Sequence, residues 1–168
     1  MSKRLTNFLP LAIMILLSGC GVYSFTGASI SPEVKTIAIS YFPNKAPMVQ
    51  PTLSQKLTDA LKDKFISEAN LDLVPEDGDL EMEGEIIGYS IMPQAIQGDE
   101  TAALNRLTIT LKVKFVNHYD EKQNFETSFS HFVDYDSSIN LANIEDQLND
   151  EIIEELVQDI FNKAVVNW

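Results

Sequence analysis

The chain has 168 residues, with 12 basic and 25 acidic side chains and a formal net charge of −13 at pH 7. This acidity argues against nucleic acid as a partner, because proteins bind nucleic acids through basic surfaces. The length suits one domain with a substantial core. Since there is only one cysteine, no intramolecular disulfide can form and apolar packing has to stabilise the fold.

The first twenty residues have the layout of an export signal. A basic start at Lys3 is followed by an apolar segment, residues 8–17, and then by small residues that lead to Cys20. The apolar segment is too short to span a bilayer, which takes about 20 apolar residues. We therefore predict a signal peptide over residues 1–19.

Residues 17–20, with the sequence Leu-Ser-Gly-Cys, resemble a bacterial lipobox. That resemblance implies cleavage before Cys20 and acylation of its thiol, which would anchor the protein to a membrane. The alternative is a free or buried thiol. Gly21 replaces the aspartate that retains such lipoproteins in the inner membrane, so we expect the outer membrane, on its periplasmic face.

The remaining residues divide into a linker and one folded unit. Residues 20–34 are predicted to be the lipidated N-terminus and linker, and residues 35–168 a single α+β domain. Strict alternation of apolar side chains predicts a strand over residues 35–42. Helical spacing predicts a helix over residues 52–69, and a short apolar stretch follows at residues 71–74.

Residues 80–92 alternate as a strand, but the alternation changes phase part of the way along. We expect a β-bulge there, with Gly84 and Gly88 as its natural positions; alternatively, both faces of the strand's end are covered. Residues 97–103 are predicted to form a polar loop that contacts a partner.

The second half predicts a meander and a long helix. Alternation continues over residues 105–116 and 125–135, joined by a turn. An amphipathic helix with an acidic outer side follows over residues 143–166. The order is β-α-(β)-β-β-β-α, an α+β fold in which two helices pack on one face of a small, mostly antiparallel sheet.

Catalytic and metal-binding signatures are missing from the sequence. No zinc-protease, phosphate-loop or serine-elbow motif occurs, so we expect no catalytic residue, no metal and no cofactor. His118 is predicted to lie in a hairpin turn and His131 to face the core, both as structural residues. Two carboxylate pairs are interpreted as solvated charges: Glu81 with Glu83, and Glu154 with Glu155.

Three basic residues stand out against the acidic background. Arg106, Lys112 and Lys114 share one parity, and therefore one face, of the strand over residues 105–116. Such a stripe can bind phosphates or acidic sugars, which makes these residues candidates for ligand binding. The alternative is that they pair with carboxylates of the neighbouring strand, namely Glu81, Glu83 and Glu85.

The complete layout resembles the LptE family, the lipopolysaccharide-assembly lipoproteins of Gram-negative outer membranes, in the form found in Bacteroidetes. The resemblance begins at residues 20–27, with the sequence Cys-Gly-Val-Tyr-Ser-Phe-Thr-Gly. It continues through further elements: the strand at 37–42, the helix at 53–65, the long strands at 80–91 and 107–116, and the acidic helix that ends at Trp168.

The resemblance implies a partner and a role. In that family two helices pack on a small sheet, and the protein plugs a large β-barrel partner, LptD, and helps to place lipopolysaccharide in the outer leaflet. Basic residues of some members contact the glycolipid, so lipopolysaccharide is a candidate ligand of this chain.

Two other functions stay open from the residues alone. The chain could be a periplasmic adaptor lipoprotein of another envelope assembly or transport complex. It could also be a small lipoprotein hydrolase that uses Glu81 and Glu83.

Overall fold

The computed structural model describes residues 30–94 and 103–165. These residues form five strands and two α-helices, with short 3-10 turns at Glu121–Gln123 and Leu141–Asn143. In chain order the elements are β1 Thr36–Ile39, α1 Leu53–Ala69, β2 Asp72–Val74, β3 Leu80–Gln94, β4 Leu104–Asn117, β5 Phe125–Asp136 and α2 Glu145–Val165. The predicted signal peptide, Cys20, residues 97–102 of the predicted loop and Trp168 lie outside the described residues.

The strands form one five-stranded sheet in the order β2-β1-β3-β4-β5. β3, β4 and β5 are antiparallel neighbours, as predicted, whereas β1 is parallel to both β2 and β3. The parallel pairs are possible because α1 supplies the long crossover connection that parallel strands need. The predicted α+β class and order of elements are confirmed, and the sheet is mixed.

Helix α1 presents the apolar side that its spacing predicts. Its buried side chains include Leu53, Leu57, Leu61 and Phe65. The ring of Phe65 meets that of Phe161 of α2 edge to face, with 5.2 Å between centroids. The helix ends at Asn70, which takes the left-handed conformation with φ of 54°, a position that asparagine tolerates well.

Helix α2 packs an apolar stripe onto the same face of the sheet. Its buried side chains include Leu148, Ile152, Leu156 and Ile160, at the spacing that the sequence predicts. Tyr89 of β3 donates a hydrogen bond from its hydroxyl to Glu145 Oε1 at 2.7 Å and so connects the sheet to the start of α2. Burial, together with this carboxylate, raises the pKa of the Tyr89 hydroxyl.

The predicted bulge in β3 lies between Ile86 and Gly88, where the register with β4 shifts. The extra residue is Ile87, whose side chain is exposed. At Gly84 the pairing is regular, so that expected position was wrong. Instead, Gly84 leaves room for a neighbour: a Cβ there would lie 2.5 Å from Cε1 of Phe42 and would also meet the backbone oxygen of Lys112.

The start of the sheet is held by one carboxylate. Asp79 accepts hydrogen bonds from the backbone N–H groups of Lys35 at 2.8 Å and Thr36 at 3.0 Å. Its own N–H donates to Thr36 Oγ1 at 2.9 Å. The bond from Lys35 is the main cause of the lowered pKa of Asp79, and those from Thr36 add to it. The side chain therefore joins the beginnings of β1 and β3.

The helices cover one face of the sheet and leave the other open. On β4 the five helix-side residues are at most 1% exposed: Leu107, Ile109, Leu111, Val113 and Phe115. We call the opposite side the open face; it carries the alternate residues of three strands. They are Glu81, Glu83 and Glu85 of β3, Arg106, Thr108, Thr110, Lys112 and Lys114 of β4, and Glu126, Ser128, Ser130, Phe132 and Asp134 of β5. Among the described helices, none has the length and apolar character needed to cross a membrane.

Candidate functional site

The three basic residues singled out by the sequence lie together on the open face. Arg106, Lys112 and Lys114 project from β4, the strand between β3 and β5. Since strand alternation sends every second side chain to the same side, the basic stripe follows directly from the sequence pattern. Cys20, the predicted lipidation site, is outside the described residues.

The two lysines are held by carboxylates on opposite neighbouring strands. Lys114 Nζ lies 2.6 Å from Glu83 Oε1 of β3, and Lys112 Nζ lies 2.6 Å from Glu126 Oε1 of β5. Each hydrogen bond raises the pKa of its lysine, and the bond to Lys112 lowers the pKa of Glu126. These side chains are about half exposed, so water and salt screen their attraction.

Arg106 has the most defined geometry of the three. Its guanidinium donates two bonds to Asp134 of β5, from Nε to Oδ1 at 2.7 Å and from Nη2 to Oδ2 at 2.8 Å. The guanidinium carbon also lies 3.6 Å from the centroid of the Phe132 ring. The bonds raise the pKa of Arg106 and lower that of Asp134. A bidentate and stacked arginine is fixed in its plane, which a lysine cannot reproduce.

An exposed apolar surface borders this arginine. Met92 of β3 is the direct neighbour of Arg106 across the sheet and is 63% exposed, and Phe132 is 45% exposed. The end of the open face near the β3–β4 connection therefore combines a fixed cation with accessible apolar groups. Aromatic, methionine and arginine side chains are the types enriched in protein interfaces.

The expected pairing with β3 carboxylates holds for one of the three cations. Glu83 binds Lys114 as that alternative predicts, whereas Glu81 lies 3.3 Å from Nε2 of His118. Lys112 and Arg106 pair with β5 instead. Three contacts of the basic residues on that strand are not indicated by the pattern of β4: Glu126, Phe132 and Asp134. The length of the turn between β4 and β5 could have indicated these partners. When Phe115 pairs with Phe125, Lys114 lies opposite Glu126 and Arg106 lies opposite Asp134.

A shallow cleft of about 310 Å³ lies beside the lysines, lined in part by Tyr41, Glu83, Lys112, Lys114 and Glu126. The Tyr41 side chain is 55% exposed at its rim. The cleft contains charges of both signs. Each lysine already donates to one carboxylate, so an anion that binds there competes with that carboxylate or uses the remaining N–H groups of the ammonium. In the described parts of the chain, no group of three or more His, Cys, Asp or Glu side chains is placed to hold a metal ion.

The helix side of the molecule has a different electrostatic character. Exposed carboxylates dominate α2: Glu151, Glu154, Glu155 and Asp159. Lys56 of α1 bridges the two helices, with its Nζ 2.8 Å from Asp150 and 3.3 Å from Asp146. Acidic charge thus dominates α2, whereas the open face carries cations and carboxylates interspersed.

Solved structures show the same fold at low sequence identity. A minor lipoprotein from Acinetobacter baumannii is 15% identical, with a TM-score of 0.50 over 77% of this chain and 91% of that one. A hypothetical protein from Chlamydia trachomatis is 8% identical, with a TM-score of 0.53 over 80% and 99%. A protein from Xanthomonas campestris is 12% identical, with a TM-score of 0.52 over 83% and 86%.

Family comparison identifies the chain more specifically than the fold does. Comparison with curated proteins gives no match. A family model described as LptE, lipopolysaccharide-assembly, matches residues 34–164. The match extends from the residues before β1 almost to the end of α2, so it includes every strand and both helices of the described structure. The chain therefore belongs to the LptE family of lipopolysaccharide-assembly proteins.

Proposed function

We propose that this protein is an outer-membrane lipoprotein that plugs, and helps to assemble, a β-barrel translocon that inserts lipopolysaccharide into the outer leaflet. Membership of the LptE family supports this role. The structural observation that carries it is the open face, where one whole side of the sheet is left uncovered by the helices and carries ordered polar and charged side chains. The barrel partner is LptD-like.

The anchor in this proposal is the acylated Cys20. One acyl chain gives only marginal membrane binding, whereas two or more give stable attachment. The signal over residues 1–19 would be removed, and the domain would sit at the periplasmic face, tethered by residues 20–34. Replacing Cys20 by serine should then release a folded protein from the membrane.

The open face suits the inside of a barrel better than contact with lipid. Barrel interiors are polar, and the pairs Arg106–Asp134, Lys112–Glu126 and Lys114–Glu83 supply charge without a large net excess. Met92 and Phe132 add apolar contact area at one end. In this role the protein occupies the interior of the barrel and stabilises it by contact, so we propose no catalytic step.

The same residues supply a route for direct contact with the glycolipid. Phosphate groups can bind the two lysines, since both pairs are half exposed and each ammonium has further N–H groups for charge-assisted bonds. Arg106 is held by two bonds and a stacked ring, so we assign it to the protein partner and the lysines to lipopolysaccharide.

The experiment that tests the proposal is purification of the tagged, lipidated protein from its own outer membrane in mild detergent, with mass spectrometry of the bound proteins. The expected result is a large barrel protein in stoichiometric amount. If other envelope subunits appear and no barrel does, the role is that of a periplasmic adaptor lipoprotein.

Charge variants connect the complex to the open face. The variant Arg106→Gln should lose most of the barrel from the purified complex. A matched control, Lys45→Gln, removes the same charge from an exposed position off the open face and should keep it. Equal loss in both variants would assign the effect to net charge, and a lowered melting temperature in the first alone would make Arg106 a structural residue.

A further inference from the structure

The two edges of the sheet differ in how they are protected. Edge strands expose unpaired backbone groups, and proteins usually blunt them with short strands, prolines, lysines or bulges. The β2 edge is three residues long and is followed by Pro75. The β5 edge is twelve residues long, contains no proline or lysine, and pairs with β4 without a register shift. One edge is thus blunted and the other is open to pairing.

The register shows which backbone groups face the open edge. Ser137 N donates to the oxygen of Ala103, its opposite residue when the β4–β5 pairing is extended by one position. In an antiparallel pair such bonded positions alternate with unbonded ones. Odd-numbered residues of β5 therefore bond to β4, and five even-numbered ones direct their N–H and C=O groups outward: Glu126, Ser128, Ser130, Phe132 and Asp134. No described strand pairs with that edge.

Burial next to this edge is also incomplete. The helix-side residues of β4 are at most 1% exposed, but their β5 neighbours Phe125, Phe129 and Val133 are only half-buried, although α2 packs on the same side. A further strand beside β5 would remove more of this apolar surface from water, which is favourable at about 25 cal/mol per Å².

In the two antiparallel registers that overlap the strands most completely, the charges on the edge argue against a second copy as the occupant. In antiparallel pairing of two β5 strands centred on Ser130, each Glu126 would lie opposite Asp134 of the other copy. Centring on His131 would place Glu126 opposite Asp136. Like charges directly opposite are destabilising, and the cations that hold these carboxylates lie one strand farther from the seam, on β4.

We infer that the β5 edge binds one extended segment of the barrel partner, which adds to the sheet as a sixth strand with neutral or basic side chains on the open face. The inference rests on the proposed function only in naming the barrel as the partner. Strand addition of this kind obtains its affinity from backbone hydrogen bonds and its selectivity from alternate side chains.

Hydrogen exchange on the purified complex tests the inference directly. Exchange of peptides from residues 125–136 is compared between the complex and the same protein after the barrel has been removed. We expect the outward amides to exchange about tenfold or more slowly in the complex, since strand pairing protects them. A barrel complex in which these amides stay fast would overturn the inference and leave the proposed function intact.

A proline pair separates edge pairing from folding. Ser128→Pro removes an outward N–H, which edge strands tolerate, and should reduce bound barrel at least tenfold with an unchanged melting temperature. Thr127→Pro removes a bond to β4 and should lower the melting temperature. Ser128→Thr keeps the outward N–H and should keep the barrel.

Other outcomes each count against the inference. Full barrel binding by Ser128→Pro contradicts it. So does protection of the outward amides in the isolated monomer, which would mean that another part of this chain covers the edge. Protection that depends on protein concentration, with a dimer on a sizing column, would assign the edge to a second copy. Purification without any barrel rejects both the named occupant and the proposed function.

Discussion

The two faces of β4 are built from alternate residues of a single strand, yet they differ in almost every physical respect. The helix side, from Leu107 to Phe115, is at most 1% exposed. The open face carries three ion pairs whose side chains are between 29% and 59% exposed. Burial of a large apolar side chain stabilises a fold by about 1.5–3 kcal/mol, whereas screened surface pairs add little. Stability thus depends mainly on the covered face.

The largest expected effect is at the centre of the covered face. Leu111→Ala should lower the free energy of unfolding by about 2–5 kcal/mol, because it removes buried methyl groups and leaves a cavity. Thr108→Ala, on the open face of the same strand, should change it by about 0.5 kcal/mol or less. Urea unfolding followed by circular dichroism measures both values. Equal losses of unfolding free energy in the two variants would contradict the conclusion that stability depends mainly on the covered face.

The two glycines of β3 provide the next test. Gly84→Ala places a methyl group against Phe42 and the Lys112 backbone, and we expect it to cost about 1–3 kcal/mol of stability. Gly88 pairs with Thr110 on the open face, where a Cβ would lie 3.2 Å from the Thr110 Cβ. Gly88→Ala should change stability by less than about 1 kcal/mol. A larger loss at Gly88 in thermal melts would mean that the open face is packed as tightly as the covered one.

Asp79 joins the beginnings of β1 and β3 by hydrogen bonds, and we expect its contribution to stability to depend on pH. Its pKa is lowered in the fold, so its stabilisation is complete above the unfolded pKa, near 3.9. The stabilisation is lost as pH falls through the lower, folded pKa. Asp79→Asn should therefore cost about 1 kcal/mol at pH 7 and progressively less below pH 4. Urea unfolding midpoints of the original protein and the variant at pH 7 and pH 3 measure this difference. If the midpoints differ equally at both pH values, ionisation of Asp79 is not the source of the stabilisation.

The smallest effect is expected on the open face itself. Lys112→Gln removes one member of an exposed pair with Glu126 and should leave the melting temperature unchanged at 0.15 M salt, since solvent and ions screen such pairs. A clear drop in melting temperature at that ionic strength would show that the charged rows hold the sheet together, and the comparison between the faces would need revision.

Periodicity alone predicts most of the fold, because the core imposes it. The spacing of Leu53, Leu57, Leu61 and Phe65 and the alternation of β4 both record which side chains face the interior. The element order and the meander follow from these patterns. The parallel pairing of β1 does not, since alternation is the same in parallel and antiparallel strands and the partners are distant in the chain.

The candidate site was predictable in part for the same reason. The shared face of Arg106, Lys112 and Lys114 needs only the parity of one strand. Their partners need the register between strands, which the turn before Phe125 determines. The bulge at Ile87 shows what the sequence does not determine. Gly84 and Gly88 were both candidate bulge positions, and only the packing shows that Gly88 lies beside the bulge while Gly84 makes room for the Phe42 ring.

The position of β1 has a consequence for the order in which the protein folds. Its pairing residues in β2 and β3 lie more than thirty residues farther along the chain, whereas β3, β4 and β5 are joined by successive antiparallel connections. Bringing distant segments together lowers the entropy of the unfolded chain before the contacts between them can form. We therefore expect the meander to condense first and β1 to be inserted late. Substitution of Ile37 should then accelerate unfolding, while substitution of Leu111 should slow refolding.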